Sequence, residues 1–171
     1  LLFHFGSHSA STLLSESIEG EHGAYDLKGS ATILDDGSLS LTNNDYHLIG
    51  SIAIKTPTLV SPIIRSFDAQ FGVYIGDGSG GQGVSFCYGQ LPVGALGAAG
   101  VDSGLCIRML TRDMDGLPAQ ALQIMLDGQV LRDLDIKEVT GNDQFLRVRT
   151  TMPVRIAYDT NGLHVSYGAS H

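Results

Sequence analysis

Apolar and polar residues alternate with period two through most of the chain, and no segment sustains a 3.6-residue period with caps. In FDAQFGVYIG the residues Phe67, Ala69, Phe71, Val73 and Ile75 fall on one face, which predicts a half-buried strand. SATILDDGSLSLTN sets two β-runs around Asp36-Gly37, ALQIMLDGQVLRDLDI two around Asp127-Gly128, and PVRIAYDTNGLHVSYG two around Asn161-Gly162. A type I′ turn needs positive φ at both central residues, and these dipeptides tolerate it, so each predicts a hairpin. Residues 1–5, GSIAIKTPTLV, VSFCYG, GLCIRMLTR and FLRVRTT read as further strands, with Pro57 confining its segment to a strand end or an edge. A polar stretch separates residues 1–5 from about Leu27. Roughly ten to twelve short strands with glycine turns and little helix predict an all-β fold, an antiparallel two-sheet β-sandwich or jelly roll.

Length and composition agree with one domain spanning 1–171, with 22 glycines and only 16% charged residues. The formal charge of −8, without a basic cluster, disfavours nucleic acid and anionic membrane as partners, because both require Lys and Arg to replace counterions. No apolar run is long enough to insert into a membrane, and the first residues lack the basic flank of a signal peptide. The absence of an initiator methionine suggests a processed protein or a domain cut from a longer one.

GDGSGGQGVSFCYG, residues 76–89, has the glycine density of a phosphate-binding loop. Such a loop must open a helix, whose N-terminal N–H groups hold the anion, and here a β-run follows. The phosphate reading therefore fails. Six histidines at 4, 8, 22, 47, 164 and 171 show no zinc spacing, and there is no G-x-S-x-G elbow or Asn-x-Ser/Thr acceptor. Asp113 and Asp115 in RDMDG suit calcium through oxygen ligands, although Asp-Gly also serves as a plain turn signal. The cofactor expectation is thus none, or calcium. Asp77 and Asp102 form a second oxygen cluster if their loops meet.

Taken in order, GSATILDDGSLSLTN, GSIAIKTP, FDAQFGVYIGDGSGGQGVSFCYGQLP, ALGAAGVDSGLCIRMLT, IMLDG and RIAYDTNGLHVSYG resemble the concanavalin A-like, or L-type lectin, jelly roll found in extracellular modules. The resemblance covers about residues 28–168. It implies that Gln82 stands where relatives keep an aspartate supporting sugar and metal. It also implies that Arg108 and Leu110 stand where metal-binding members carry glutamate and aspartate ligands. Neither binds a cation, so the legume-type double metal site is not expected. In the family's sheet the strands of Cys87 and Cys106 are neighbours; each cysteine alternates with bulky apolar residues, so a cross-strand disulfide is feasible, with two buried thiols as the alternative.

DLDIKE resembles the carboxylate motif of the related glycoside hydrolases. Asp133 and Asp135 share a strand face, but Lys137 occupies the next place on it and Glu138 faces away. A retaining mechanism needs carboxyl groups about 5–5.5 Å apart, and the chain has no tryptophan for sugar stacking. No enzymatic activity is expected. The expected function is an extracellular or cell-surface module for carbohydrate binding or adhesion, with Asp77, Gln82, Gly97 and Asp102 as ligand-binding residues. The alternative is a structural module that meets other domains of a surface assembly.

Overall fold

The computed structural model describes residues 2–5, 14–17, 25–43, 47–54, 66–76, 81–90, 96–112, 120–142, 145–147 and 150–168. Its strands are β1 (Leu2–Phe5), β2 (Leu14–Ser17), β3 (Tyr25–Gly29), β4 (Thr32–Ile33), β5 (Leu39–Ser40), β6 (Gly50–Ile54) and β7 (Phe67–Val73). They continue with β8 (Gly83–Tyr88), β9 (Leu105–Leu110), β10 (Ala121–Leu126), β11 (Gln129–Asp135), β12 (Met152–Asp159) and β13 (Gly162–Tyr167), and one short helix, α1 (Ile136–Thr140), follows β11. The fold is all-β, and every strand pair among the described residues is antiparallel.

Two sheets form the body, one ordered β11-β10-β9-β8 and the other β13-β12-β7. The period-two pattern explains why they pack. Phe67, Ala69 and Val73 of β7 are buried beside Val154 and Ile156 of β12, and meet Ile107, Met109 and Leu122 of the four-stranded sheet. Aromatic rings span the gap: Phe67 lies 5.0 Å from Tyr88 and Phe71 lies 5.9 Å from Phe86, centroid to centroid. Burying this apolar surface is the main stabilising contribution. On its outer side the three-stranded sheet is polar, with an Arg155–Asp68 ion pair of 2.7 Å.

The hairpins differ in detail. Asp127 and Gly128 have φ of 48° and 75°, as a type I′ turn requires. Around Asp36-Gly37 only Gly37 is left-handed, and its N–H donates to the Leu34 carbonyl while Asp36 accepts from Ser38 N–H and Oγ. That is a three-residue loop rather than type I′. The last hairpin turns one residue earlier than expected, over Thr160 and Asn161, because the Asp159 carboxylate accepts from Asn161 N–H and closes the turn there.

Other departures have local causes. The stretch expected to be polar and loop-like up to Leu27 contains β2 and the start of β3. Residues 145–146 form a turn where FLRVRTT suggested a strand. The DLDIKE run leaves the sheet at Asp135, whose carboxylate accepts from Lys137 and Glu138 N–H and so caps α1, while Gly141 at φ 70° ends it.

Candidate functional site

The outer face of the four-stranded sheet carries an unusual row of polar side chains. Register places Ser85 beside Arg108, Arg108 beside Gln123, and Gln123 beside Asp133. The Arg108 guanidinium donates to Gln123 Oε1 at 2.9 Å, and Gln123 Nε2 donates to Asp133 Oδ1 at 2.8 Å. Gln123 is only 4% exposed. Arg108 Nε is buried and has no hydrogen-bond partner among the described residues. A guanidinium N–H left in that state is costly.

This row depends on a β-bulge. Counting from the Asp127-Gly128 turn, Met125 pairs with Val130, but beyond it Ile124 pairs with Arg132, leaving Leu131 as the extra residue. The slip brings Asp133, not Arg132, beside Gln123. An acceptor therefore completes the row where a second guanidinium would otherwise crowd Arg108.

Loop 96–104 lies over the same face. Ala98 is packed with Leu110 and Ala121, and Val101 is buried. Ser85 Oγ donates to the Gly97 carbonyl at 2.9 Å, and Gly104 N–H donates to Asp127 Oδ1 at 2.8 Å, which fastens the loop to the β10–β11 turn. Asp102 projects from this loop, its side chain 87% exposed and its carboxylate 3.9 Å from the Arg108 guanidinium. At that exposure the pair contributes little by itself.

Gly97 and Asp102 thus share one loop above the row. Gln82 does not join them: it is exposed just ahead of β8, at the Leu110 end of the sheet, where its carbonyl accepts from Thr111 N–H. Asp102 sits at the opposite end, near Gly128. Asp77, Asp113 and Asp115 lie outside the described residues. Among the described residues no three His, Cys, Asp or Glu side chains form a metal-binding group. Asp133 and Asp135 are both engaged, one by Gln123 and the other as the helix cap.

Cys87 and Cys106 are free thiols directly opposite each other in the β8–β9 pair, on this outer face. Cys106 is pulled down to about 7, first by a hydrogen bond from the Cys87 thiol and then by Val101 N–H and the Arg108 guanidinium, against burial. Cys87 is held up as the donor of that bond and by burial.

The glycine loop has its own anchor. Arg147 donates to the carbonyls of Gly76 at 3.2 Å and Gly81 at 2.6 Å, and to Thr111 Oγ1 at 3.0 Å, and Thr111 Oγ1 donates to Gly81 at 2.8 Å. Elsewhere, a shallow groove lined by Tyr25, Asp26, Leu27, Lys28, Thr32 and Ile33 contains none of the residues singled out from sequence.

Gln123 in the polar row and Arg147 at the glycine loop carried no motif. Only cross-strand register reveals Gln123, and the bulge hides that register from simple counting. No protein-family model matches the chain, and no curated protein matches it.

Proposed function

We propose that this chain is a non-catalytic recognition module of the lectin-like jelly-roll kind, acting outside the cell or at its surface and binding a glycan. The proposed binding face is the outer side of the four-stranded sheet below loop 96–104. The observation that carries this reading is the Arg108–Gln123–Asp133 row, whose Asp133 is exposed, together with the exposed Asp102 carboxylate 3.9 Å from Arg108. A fixed guanidinium, amide and carboxylate offer donors and acceptors at set spacing, which is the chemistry that grips adjacent sugar hydroxyls. The engagement of Asp133 and Asp135 in structural hydrogen bonds supports binding over glycoside hydrolysis.

Glycan-array binding with a calcium titration tests the proposal. The expected result is a defined glycan class bound by the natural chain and weakened at least tenfold in Gln123→Ala, with calcium changing affinity only if the loop carboxylates take part. Absence of any bound glycan, with and without calcium, would overturn it.

A second reading is a structural module that meets another domain. Leu126, Val130 and Leu131 are 45%, 49% and 59% exposed on the β10–β11 hairpin, and β11 is the outermost strand of its sheet. Apolar side chains at an open strand edge are a typical protein-contact surface. A chain that ignores glycans and whose partner binding is lost in Leu131→Lys would favour this reading.

A further inference from the structure

The cysteine pair carries an inference that does not rest on the glycan reading. Cys87 and Cys106 are Cα partners in register, so their backbones already stand at the spacing of an antiparallel pair, about 4.5–5.5 Å, inside the range that a disulfide spans. Their side chains also converge. A Cβ built on Gly100 would overlap the Cys106 sulfur and lie 2.8 Å from the Cys87 sulfur. Both sulfurs thus border one point, and the thiols hydrogen-bond to each other.

The loop is built around this pair. Gly100 has φ 65°, and any side chain there would occupy the space of the sulfurs. Cys106 is fully buried while Cys87 is partly exposed. The Arg108 guanidinium beside Cys106 favours a thiolate and opposes a divalent cation. Among the described residues there is no third metal ligand. The site therefore suits oxidation better than metal binding.

We propose that Cys87 and Cys106 are a redox-active dithiol that closes to a cross-strand disulfide by exchange with a small-molecule disulfide. The thiolate of one cysteine attacks a sulfur of the small disulfide, forming a mixed disulfide and expelling one small thiolate. The second cysteine then attacks the protein sulfur of that mixed disulfide, forming the Cys87–Cys106 bond and expelling the second small thiolate. The two protein thiols lose two protons and two electrons, and the small disulfide is reduced to two thiols. Only side-chain rotation is needed to bring the sulfurs together, because the register already holds the backbones.

The test is redox titration of the full reduced chain in mixtures of oxidised and reduced glutathione. Thiols are counted after quenching, and products are mapped by mass spectrometry. Both thiols are expected to disappear together, leaving an intramolecular Cys87–Cys106 bond. Closing a loop of about twenty residues is expected to raise Tm by roughly 5–10 °C. Cys87→Ser and Cys106→Ser each remove that rise. Persistence of both thiols in fully oxidised glutathione, or accumulation of stable glutathione adducts or disulfide-linked dimers, would overturn the proposal. The mapped product of the natural chain decides the matter even if a serine variant folds poorly.

Discussion

At the scale of single residues, the outer face of the four-stranded sheet concentrates the chain's unusual chemistry. Cys106 is held below the ordinary thiol range by the donor Cys87, by Val101 N–H and by Arg108, whose own neighbours are Gln123 and the Asp102 carboxylate. A group with a lowered folded pKa contributes stability that is complete above its unfolded value and fades as pH falls through the folded one. For Cys106 that window runs from about 9 down to about 7. In the reduced chain, thiolate absorbance near 240 nm is expected to rise to half its full amplitude with a midpoint near pH 7, while Cys87 stays protonated beyond pH 9. A single two-thiolate step near 9 would show that the pair does not share its proton. The alternation of Cys87 and Cys106 with Phe86, Tyr88, Leu105 and Ile107 was enough to put both on one face. The opposition of the two sulfurs was not legible, because it requires the register between strands joined by a long loop.

At the scale of elements, legibility followed how local the controlling interaction is. Asp127-Gly128 was readable because both residues adopt the positive φ that defines its turn. The final hairpin shifted by one residue because a single carboxylate, Asp159, captured Asn161 N–H. Helix α1 escaped because five residues are too few to display a period, and its signal reduces to a cap at Asp135 and a glycine at 141. The bulge at Leu131 was equally invisible, yet it decides which charge meets Gln123. Asp133→Ala is expected to lower stability by about 1–3 kcal/mol as Gln123 Nε2 loses its acceptor, whereas Arg132→Ala, exposed and paired with Ile124 instead, is expected to stay within about 0.5 kcal/mol. Urea denaturation of the two variants measures both effects, and the reverse order would refute the assignment of register.

At the scale of the whole molecule, the sandwich depends on one interior shared by two sheets. Ile156 of β12 is fully buried against that interior, whereas Val130 of β11 is 49% exposed. Ile156→Ala is expected to cost about 2–5 kcal/mol, and Val130→Ala within about 0.5 kcal/mol, by chemical denaturation. Similar losses at both positions would mean that the sheets do not share a core. The all-β class was legible from period-two alternation and turn dipeptides, since these report burial and φ directly. The candidate site was legible only in fragments: Gly97 and Asp102 share a loop, whereas Gln82 is carried to the far end of the sheet.

Arg147 ties together the carbonyls of Gly76 and Gly81, the two residues that bracket 77–80. One guanidinium thus couples the exit of β7 in one sheet to the entry of β8 in the other, as a staple at one end of the sandwich, so that a single substitution there would let both strand ends fray together.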